Sequence, residues 1–169
     1  DEAATFVLPF RGHRLHGRRG GQGGALFLIH GFPTSGRDWR GVWPALALSH
    51  ELFALDMLGF GASAKPRGFD YSIAASADQW VALAESTGVR EVAVIAHDYG
   101  NTVAQELLAR QREGVLGFRI TSVAFLNGGL FPEATHPLRI QRLLAGPLGP
   151  LLVRLVGERR FQASLQRIC

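Results

Sequence analysis

The sequence predicts an α/β fold built on a mostly parallel sheet. Four short apolar runs are continuous rather than alternating, as expected of strands covered on both faces. They occupy residues 25–29, 52–55, 92–96 and 120–126. Helical stretches separate them, at about 39–48, 72–87 and 100–112. With 47% hydrophobic and 19% charged residues, the chain is expected to be globular. Strands that alternate with helices pair in parallel through right-handed crossovers.

The first 24 residues predict a hairpin followed by a loop. Residues 5–10 and 13–16 flank the pair Arg11-Gly12 and form a short hairpin pattern. The glycine-rich stretch 17–24 precedes a strand and lacks the GK[ST] ending of a phosphate-binding loop. We therefore expect a flexible surface loop there. Further along, Gly88 stands where a helix C-terminus should release the chain.

The composition and pattern of the sequence change near residue 132. Residues 136–169 are leucine-rich and helical, with breaks at Gly146-Pro147 and Gly149-Pro150. We expect residues 1–131 to form the sheet domain and residues 132–169 to begin a helical cap. The apolar stripe of this segment is interpreted as a packing face rather than a membrane or partner surface.

Composition narrows the classes of function. The net charge is +4, but the arginines are scattered and no aromatic residues interleave with them, so a solvated surface is favoured over nucleic-acid binding. Cys169 is the sole cysteine, which predicts no disulfide framework and no metal site, and no motif predicts a cofactor. No signal-peptide pattern or membrane-length apolar run occurs. The chain starts at Asp1, so a leader or anchor upstream is left open.

The segment 92–101 has the pattern of a nucleophile elbow. A buried strand ends, Asp98 follows at once, and a helix begins near Gly100. Ala96 and Gly100 flank Asp98 at two residues on either side, where a tight and strained turn requires small residues. The helix N-terminus behind Asp98 favours a carboxylate and, later, an oxyanion. The alternative is that Asp98 only caps the helix.

A second loop supports this interpretation. The sequence IHGFP at 29–33 follows the first buried run, where an oxyanion-hole loop is expected. Gly31 lets the backbone turn so that the Phe32 N–H points at the site, and the Tyr99 N–H would be the second donor. His30 is interpreted as a hydrogen-bonded loop anchor rather than a catalytic group. Asp56, at the end of the second run, is expected to tie its own loop to the neighbouring loops.

These motifs resemble one branch of the α/β-hydrolase superfamily. HGFPTS at 30–35, DMLGFGASAKP at 56–66 and HDYG at 97–100 have the order and spacing of epoxide hydrolases and haloalkane dehalogenases. Within that branch, HDYGNTVAQELL at 97–108 and LNGGLFPE at 126–133 are similar to mesoderm-specific transcript proteins. The resemblance implies an α/β-hydrolase fold with a mostly parallel sheet and an N-terminal hairpin. It also implies that the chain is truncated within the helical cap.

The resemblance also implies a mechanism. Asp98 would attack an electrophilic carbon and form an ester, which water activated by a histidine–carboxylate pair would hydrolyse. Dehalogenases of the family typically have Asn and Trp where this chain has Phe32 and Tyr99. That departure favours an epoxide-hydrolase-like reaction on a small apolar substrate. The alternative is a non-catalytic binding or signalling protein that keeps the fold.

The sequence does not supply the expected general base. In this fold the catalytic histidine comes late in the chain, whereas five of the six histidines precede Asp98 and His136 opens the cap. The side chain of His97 is expected to point away from the substrate face. We therefore expect this chain to be an inactive N-terminal fragment of a longer hydrolase. A cytoplasmic location is expected, or the endoplasmic reticulum membrane through a missing N-terminal segment, as in the resembled family.

Overall fold

The computed structural model describes residues 3–128, and Gly146 beyond them. Six strands, two long helices and two short helical pieces occur in this part of the chain. In chain order they are β1 (Ala4–Phe10), β2 (His13–Gly20), β3 (Gly24–Ile29), a 3-10 helix (Gly36–Gly41), α1 (Trp43–Leu46), β4 (His50–Asp56), α2 (Ile73–Thr87), β5 (Glu91–His97), α3 (Tyr99–Arg112) and β6 (Arg119–Leu126).

The six strands form one mixed sheet in the order β1-β2-β4-β3-β5-β6. The strands β3 to β6 pair in parallel, and β1 and β2 add an antiparallel hairpin at one side. The hairpin turn Arg11-Gly12 has positive φ at both residues, as a two-residue turn matched to strand twist requires. The predicted fold class is confirmed. The carboxyl ends of the neighbouring parallel strands β3, β5 and β6 lie side by side, so the loops that follow these strands meet at the same end of the sheet.

Apolar layers cover both faces of the central strands. One face of β3 and β4 packs against α2 and α3 through Phe27, Phe53, Trp80 and other buried side chains. The opposite face packs against the short helices through Trp39 and Trp43. Each buried large side chain contributes about 1.5–3 kcal/mol relative to an exposed one. Burial on both faces explains why these strands appear in the sequence as continuous apolar runs.

Local signals set the ends of α2. The Ser72 hydroxyl accepts a hydrogen bond from the Ala75 N–H at 3.2 Å, and Gly88 ends the helix in the left-handed conformation with φ 72°. Only glycine adopts this conformation without cost, so its position after the last turn stops the helix cleanly. The predicted release of the chain at Gly88 is confirmed.

Two local predictions were wrong. Residues 17–20, expected in a flexible loop, complete strand β2, because their backbones pair with β1 on one side and β4 on the other. Residues 39–48, expected as one helix, form instead the end of the 3-10 helix and the short α1, since Gly41 weakens the helix and Pro44 restarts it. The predicted cap at 132–169, its apolar stripe and the boundary after residue 131 lie outside the described residues.

Within residues 3–128, no helix has the length and apolar character needed to cross a bilayer.

Candidate active site

Asp98 occupies a strained turn between strand and helix. Strand β5 ends at His97 and α3 begins at Tyr99, so Asp98 alone makes the turn, with φ 51° and ψ −117°. A positive φ is costly for a residue with a Cβ and persists only where the surroundings enforce it. The Asp98 N–H donates to the Leu126 carbonyl at 3.0 Å, which ties the turn to the end of β6. We call residues 96–100 the elbow.

Two glycines make the elbow sterically feasible. A Cβ on Gly100 would lie 2.6 Å from the Ile29 carbonyl oxygen and 2.7 Å from that of His30, both of them backbone atoms that cannot easily move. A Cβ on Gly31 would lie 2.7 Å from the Asp98 Cβ and 3.0 Å from its Oδ1. Gly100, one of the small residues expected around Asp98, and Gly31 are therefore required by close packing of β3 and its loop against the elbow.

The loop after β3 supplies a hydrogen-bond donor to the Asp98 carboxylate. The Phe32 N–H donates to Oδ1 of Asp98 at 2.9 Å. Within the described part of the chain, no hydrogen bond joins the Tyr99 N–H to this carboxylate. The structure thus brings Phe32 and Asp98 together as the sequence suggested, while the second donor is not seen in this geometry.

His30 links two loops from a fully buried position. Its Nε2 accepts a hydrogen bond from the Met57 N–H at 3.1 Å, and its Nδ1 lies 2.8 Å from the Gly31 carbonyl oxygen. Since Nε2 is an acceptor, the proton is on Nδ1, and that N–H donates to the carbonyl. Burial lowers the pKa of His30 below its usual value, against smaller opposing effects of the Gly31 carbonyl and the nearby carboxylates. The imidazole therefore holds the loops after β3 and β4 in register as a neutral ring.

Asp56 performs a similar task one strand away. Its Oδ1 accepts from the Gly36 N–H and its Oδ2 from the Ala62 N–H, both at 2.8 Å. The Ser63 hydroxyl donates to its backbone carbonyl. Both carboxylate oxygens are thus used by backbone donors of two loops, which is the geometry of a loop tie.

An apolar cleft of about 420 Å³ adjoins the elbow. It shares Tyr99 with the elbow and Phe32 with the donor loop. The Tyr99 ring lies 6.1 Å from the Phe60 ring, and its hydroxyl lies 3.0 Å from the Ser76 Oγ of helix α2. We define the cleft by its lining residues, which are Phe32, Leu58, Gly59, Phe60, Lys65, Tyr71, Ser76 and Tyr99.

Sequence reasoning missed Asn101, in the first turn of α3. Its side chain is almost fully buried, and its Nδ2 donates to the Leu126 carbonyl at 3.1 Å. That carbonyl also accepts from the Asp98 N–H, so Asn101 and Asp98 both donate to the same oxygen at the end of β6. A side chain at Gly128 would overlap Asn101. The one sequence signal for this role is that Asn101 is polar on the buried, otherwise apolar face of α3.

No described histidine hydrogen-bonds the Asp98 carboxylate. His13 and His16 lie on β2, which is three strand spacings from β5, or about 14 Å. His50 is the first residue of β4, at the end of the strand remote from the elbow. His97 immediately precedes Asp98, with its Nδ1 3.1 Å from the position a Gly31 Cβ would take. His136 lies outside the described residues. Within residues 3–128, no cluster of three or more metal-ligating side chains occurs.

A mostly parallel sheet whose strand β5 ends in a strained turn before a helix is the architecture of α/β hydrolases. A family model described as alpha/beta hydrolase fold matches residues 24–150. The chain belongs to the α/β-hydrolase family, as HGFPTS and HDYG predicted.

Individual relatives lie in the branch that the motifs indicated. The mesoderm-specific transcript homolog protein of Bos taurus is 46% identical over 146 residues, covering 83% of this chain and 44% of that protein. The haloalkane dehalogenase DatA of Agrobacterium tumefaciens matches with a TM-score of 0.78 at 26% identity, covering 98% of this chain and 56% of that chain. The epoxide hydrolase CorEH matches with a TM-score of 0.69 at 29% identity, covering 85% and 49%. The chain spans about half the length of the curated relatives it matches.

Proposed function

We propose that this chain carries the nucleophile and part of the oxyanion hole of a hydrolase that acts through an ester of Asp98. The observation that carries the proposal is the 2.9 Å hydrogen bond from the Phe32 N–H to Oδ1 of Asp98, on an elbow that strains its backbone. In an aspartate mechanism, the developing oxyanion is an oxygen of the nucleophile itself. A donor already bound to that oxygen is therefore the arrangement such a mechanism needs.

The reaction proceeds in two steps. Oδ2 of Asp98 attacks one epoxide carbon, so that a new carbon–oxygen bond forms as the ring C–O bond at that carbon breaks. The ring oxygen stays on the neighbouring carbon and takes a proton from solvent or from an acid outside the described residues. Water deprotonated by a general base then adds to Cγ of the ester, and charge develops on Oδ1. The Phe32 N–H stabilises that charge, with the Tyr99 N–H as the second donor. Collapse breaks the bond between Cγ and Oδ2, releases the diol with the Oδ2 oxygen, and restores the carboxylate.

The general base and its acidic partner come from outside residues 3–128. His30 has both ring nitrogens engaged, and His13, His16 and His50 are too far from the elbow. His97 directly precedes Asp98 at the end of β5, where successive side chains point to opposite faces of the sheet. A histidine is the residue expected to activate the water near neutral pH. Residues 3–128 accordingly account for the first step, the attack by Asp98, and the hydrolytic step requires that base.

Epoxide hydrolysis is favoured over dehalogenation. The side-chain environment beside the nucleophile combines the Phe32 and Phe60 rings with the Tyr99 hydroxyl, and the positions of the halide-binding Asn and Trp of dehalogenases carry Phe32 and Tyr99. The apolar cleft suits a small apolar substrate as the partner of this site. A relative named as an epoxide hydrolase shares the fold.

The test is the capture of the ester on Asp98. Full-length protein is mixed with excess styrene oxide, quenched in acid within milliseconds to seconds, and analysed by intact and peptide mass spectrometry. We expect a substrate adduct on the peptide that contains Asp98, and none in the Asp98→Asn variant. Binding of the epoxide without any adduct or diol over a panel of small epoxides would support the non-catalytic alternative instead.

A further inference from the structure

We infer that the hydroxyl pair of Tyr99 and Ser76 selects ligands of the cleft that carry a neutral oxygen acceptor on an apolar body. This inference rests on the proposed function, because it defines the substrate class of the same site. It concerns recognition at the cleft, and it can be tested without turnover. Three features support it: the free proton of the pair, the apolar walls around it, and the charges nearby.

The first feature is an unused hydroxyl proton. The oxygens of Tyr99 and Ser76 lie 3.0 Å apart, and either one can donate to the other. Whichever donates, the other O–H has no further partner among the described residues. Both side chains line the cleft, so one O–H donor is available to a ligand there. The pairing also fixes the Tyr99 ring against α2, which reduces the entropy lost when a ligand binds.

The second feature is the surroundings of this pair. Phe32, Leu58 and Phe60 supply the apolar walls of the cleft. In such a setting a hydroxyl that loses water on ligand binding must be given a new partner, or it carries a desolvation cost of about 1–3 kcal/mol. A ligand that offers an oxygen acceptor meets this requirement, whereas a purely apolar ligand does not. The pair therefore discriminates by chemistry more than by size.

The third feature is the charge near the cleft. The Asp98 carboxylate is beside it, bound to the Phe32 N–H, and repels an anionic ligand. Lys65 also lines the cleft, but its Nζ donates to the carbonyls of Gly61 at 2.7 Å and Ser63 at 3.0 Å within its own loop. The ammonium is thus held by the loop instead of projecting alone towards a ligand. The Asp98 carboxylate thus disfavours an anionic ligand, and Lys65 already uses two of its three N–H donors within its own loop.

The experiment compares two nearly isosteric probes on full-length protein by isothermal titration calorimetry. The neutral probe is 4-phenylbutan-2-one and the anionic probe is 3-phenylpropanoate. We expect the ketone to bind at least about tenfold more tightly than the carboxylate. The double variant Tyr99→Phe/Ser76→Ala, which removes both hydroxyls of the pair, should weaken ketone binding by about three- to tenfold, as loss of one hydrogen bond predicts. Each single variant keeps one O–H donor in the cleft and should lose less, and carboxylate binding, which uses the same donor, should fall in parallel.

The double variant and the ester assay separate the possible outcomes. Since either hydroxyl can supply the donor, the double variant should lose more ketone affinity than the two single variants together. Should this double variant fail to fold, Tyr99→Phe/Ser76→Cys, which keeps the size of the serine side chain but has only a weak S–H donor, takes its place. Equal or tighter binding of the carboxylate, or unchanged ketone binding in the double variant, overturns the inference even when the Asp98 ester forms. Selective ketone binding without any ester overturns the proposed function and leaves the inference standing.

Discussion

Replacement of Gly31 by alanine should damage catalysis far more than folding. The new Cβ would lie 2.7 Å from the Asp98 Cβ and 3.0 Å from its Oδ1, closer than side-chain atoms approach, so one partner must move. The loop is poorly able to move, because the Gly31 carbonyl accepts from the Thr34 N–H at 3.2 Å, the Thr34 hydroxyl at 3.1 Å and His30 at 2.8 Å. The Asp98 carboxylate is therefore displaced, and its bond to the Phe32 N–H is lost.

The magnitude follows from that single hydrogen bond. Loss of one oxyanion donor costs about 10²- to 10³-fold in kcat, and a displaced nucleophile adds to the loss. We expect Gly31→Ala to lower kcat by about 10²-fold or more. Overpacking at one site costs about 1–3 kcal/mol in stability, and the adjustment of one half-buried side chain should place this variant at the low end.

The assay is epoxide turnover by the full-length protein, with urea unfolding of the same samples. Gly24→Ala is the matched control, because a Cβ there meets no atom within 4 Å, and it should retain wild-type turnover. Gly100→Ala is the contrasting variant, since its Cβ would clash with backbone carbonyl oxygens. This variant should lose more folding stability than Gly31→Ala. A folded Gly31→Ala protein with kcat within about threefold of wild type would refute the reasoning.

The other predictions concern hydrogen bonds that hold the elbow and its loops. Burial lowers the pKa of His30 below 6.5, so the unfolded chain takes up a proton there before the folded one does, and stability should fall as the pH drops below about 6.5. Urea unfolding from pH 5 to 8 should show this slope reduced in His30→Asn, and an identical slope would contradict the assignment. Asn101→Ala should lower the free energy of unfolding by about 0.5–1.5 kcal/mol. It should also lower kcat, because the Leu126 carbonyl that accepts from the Asp98 N–H loses its second donor. Unchanged kcat would show that the Asn101 amide does not position the elbow. Asp56→Ala leaves two backbone N–H donors without an acceptor, so thermal or urea unfolding should show a loss of about 2 kcal/mol or more in stability. Asp56→Asn should lose less. An Asp56→Ala protein as stable as wild type would rule out the loop tie.

The sheet and the elbow were predictable because local sequence determines them. Continuous apolar runs are required by burial on both faces, and the spacing of Ala96, Asp98 and Gly100 reflects the space available at the turn. The strand at 17–20 was not predictable in the same way. Its glycines and arginines have no strand character of their own, and the pairing of Arg19 with Glu51 on β4 becomes visible only once the chain is folded.

The polar contacts around the site depend on tertiary geometry in the same sense. Ser76 and Tyr99 are 23 residues apart and meet because α2 packs beside α3. Asn101 reaches Leu126 only because β6 lies next to β5. The sequence singled out Asp98 and the Phe32 N–H that donates to it, since both follow buried strands, but it contained no local signal for side chains that act across elements.

The central claim is that Asp98 attacks the substrate, and a single turnover in water enriched in oxygen-18 tests it most directly. Full-length protein in excess over an epoxide is allowed one turnover, and the diol and the Asp98 peptide are analysed by mass spectrometry. If the ester of Asp98 forms, the first diol carries an unlabelled oxygen from the carboxylate and the label appears in Asp98. Label found directly in the first diol, with Asp98 unlabelled, would mean that water attacks the epoxide itself and would contradict the account.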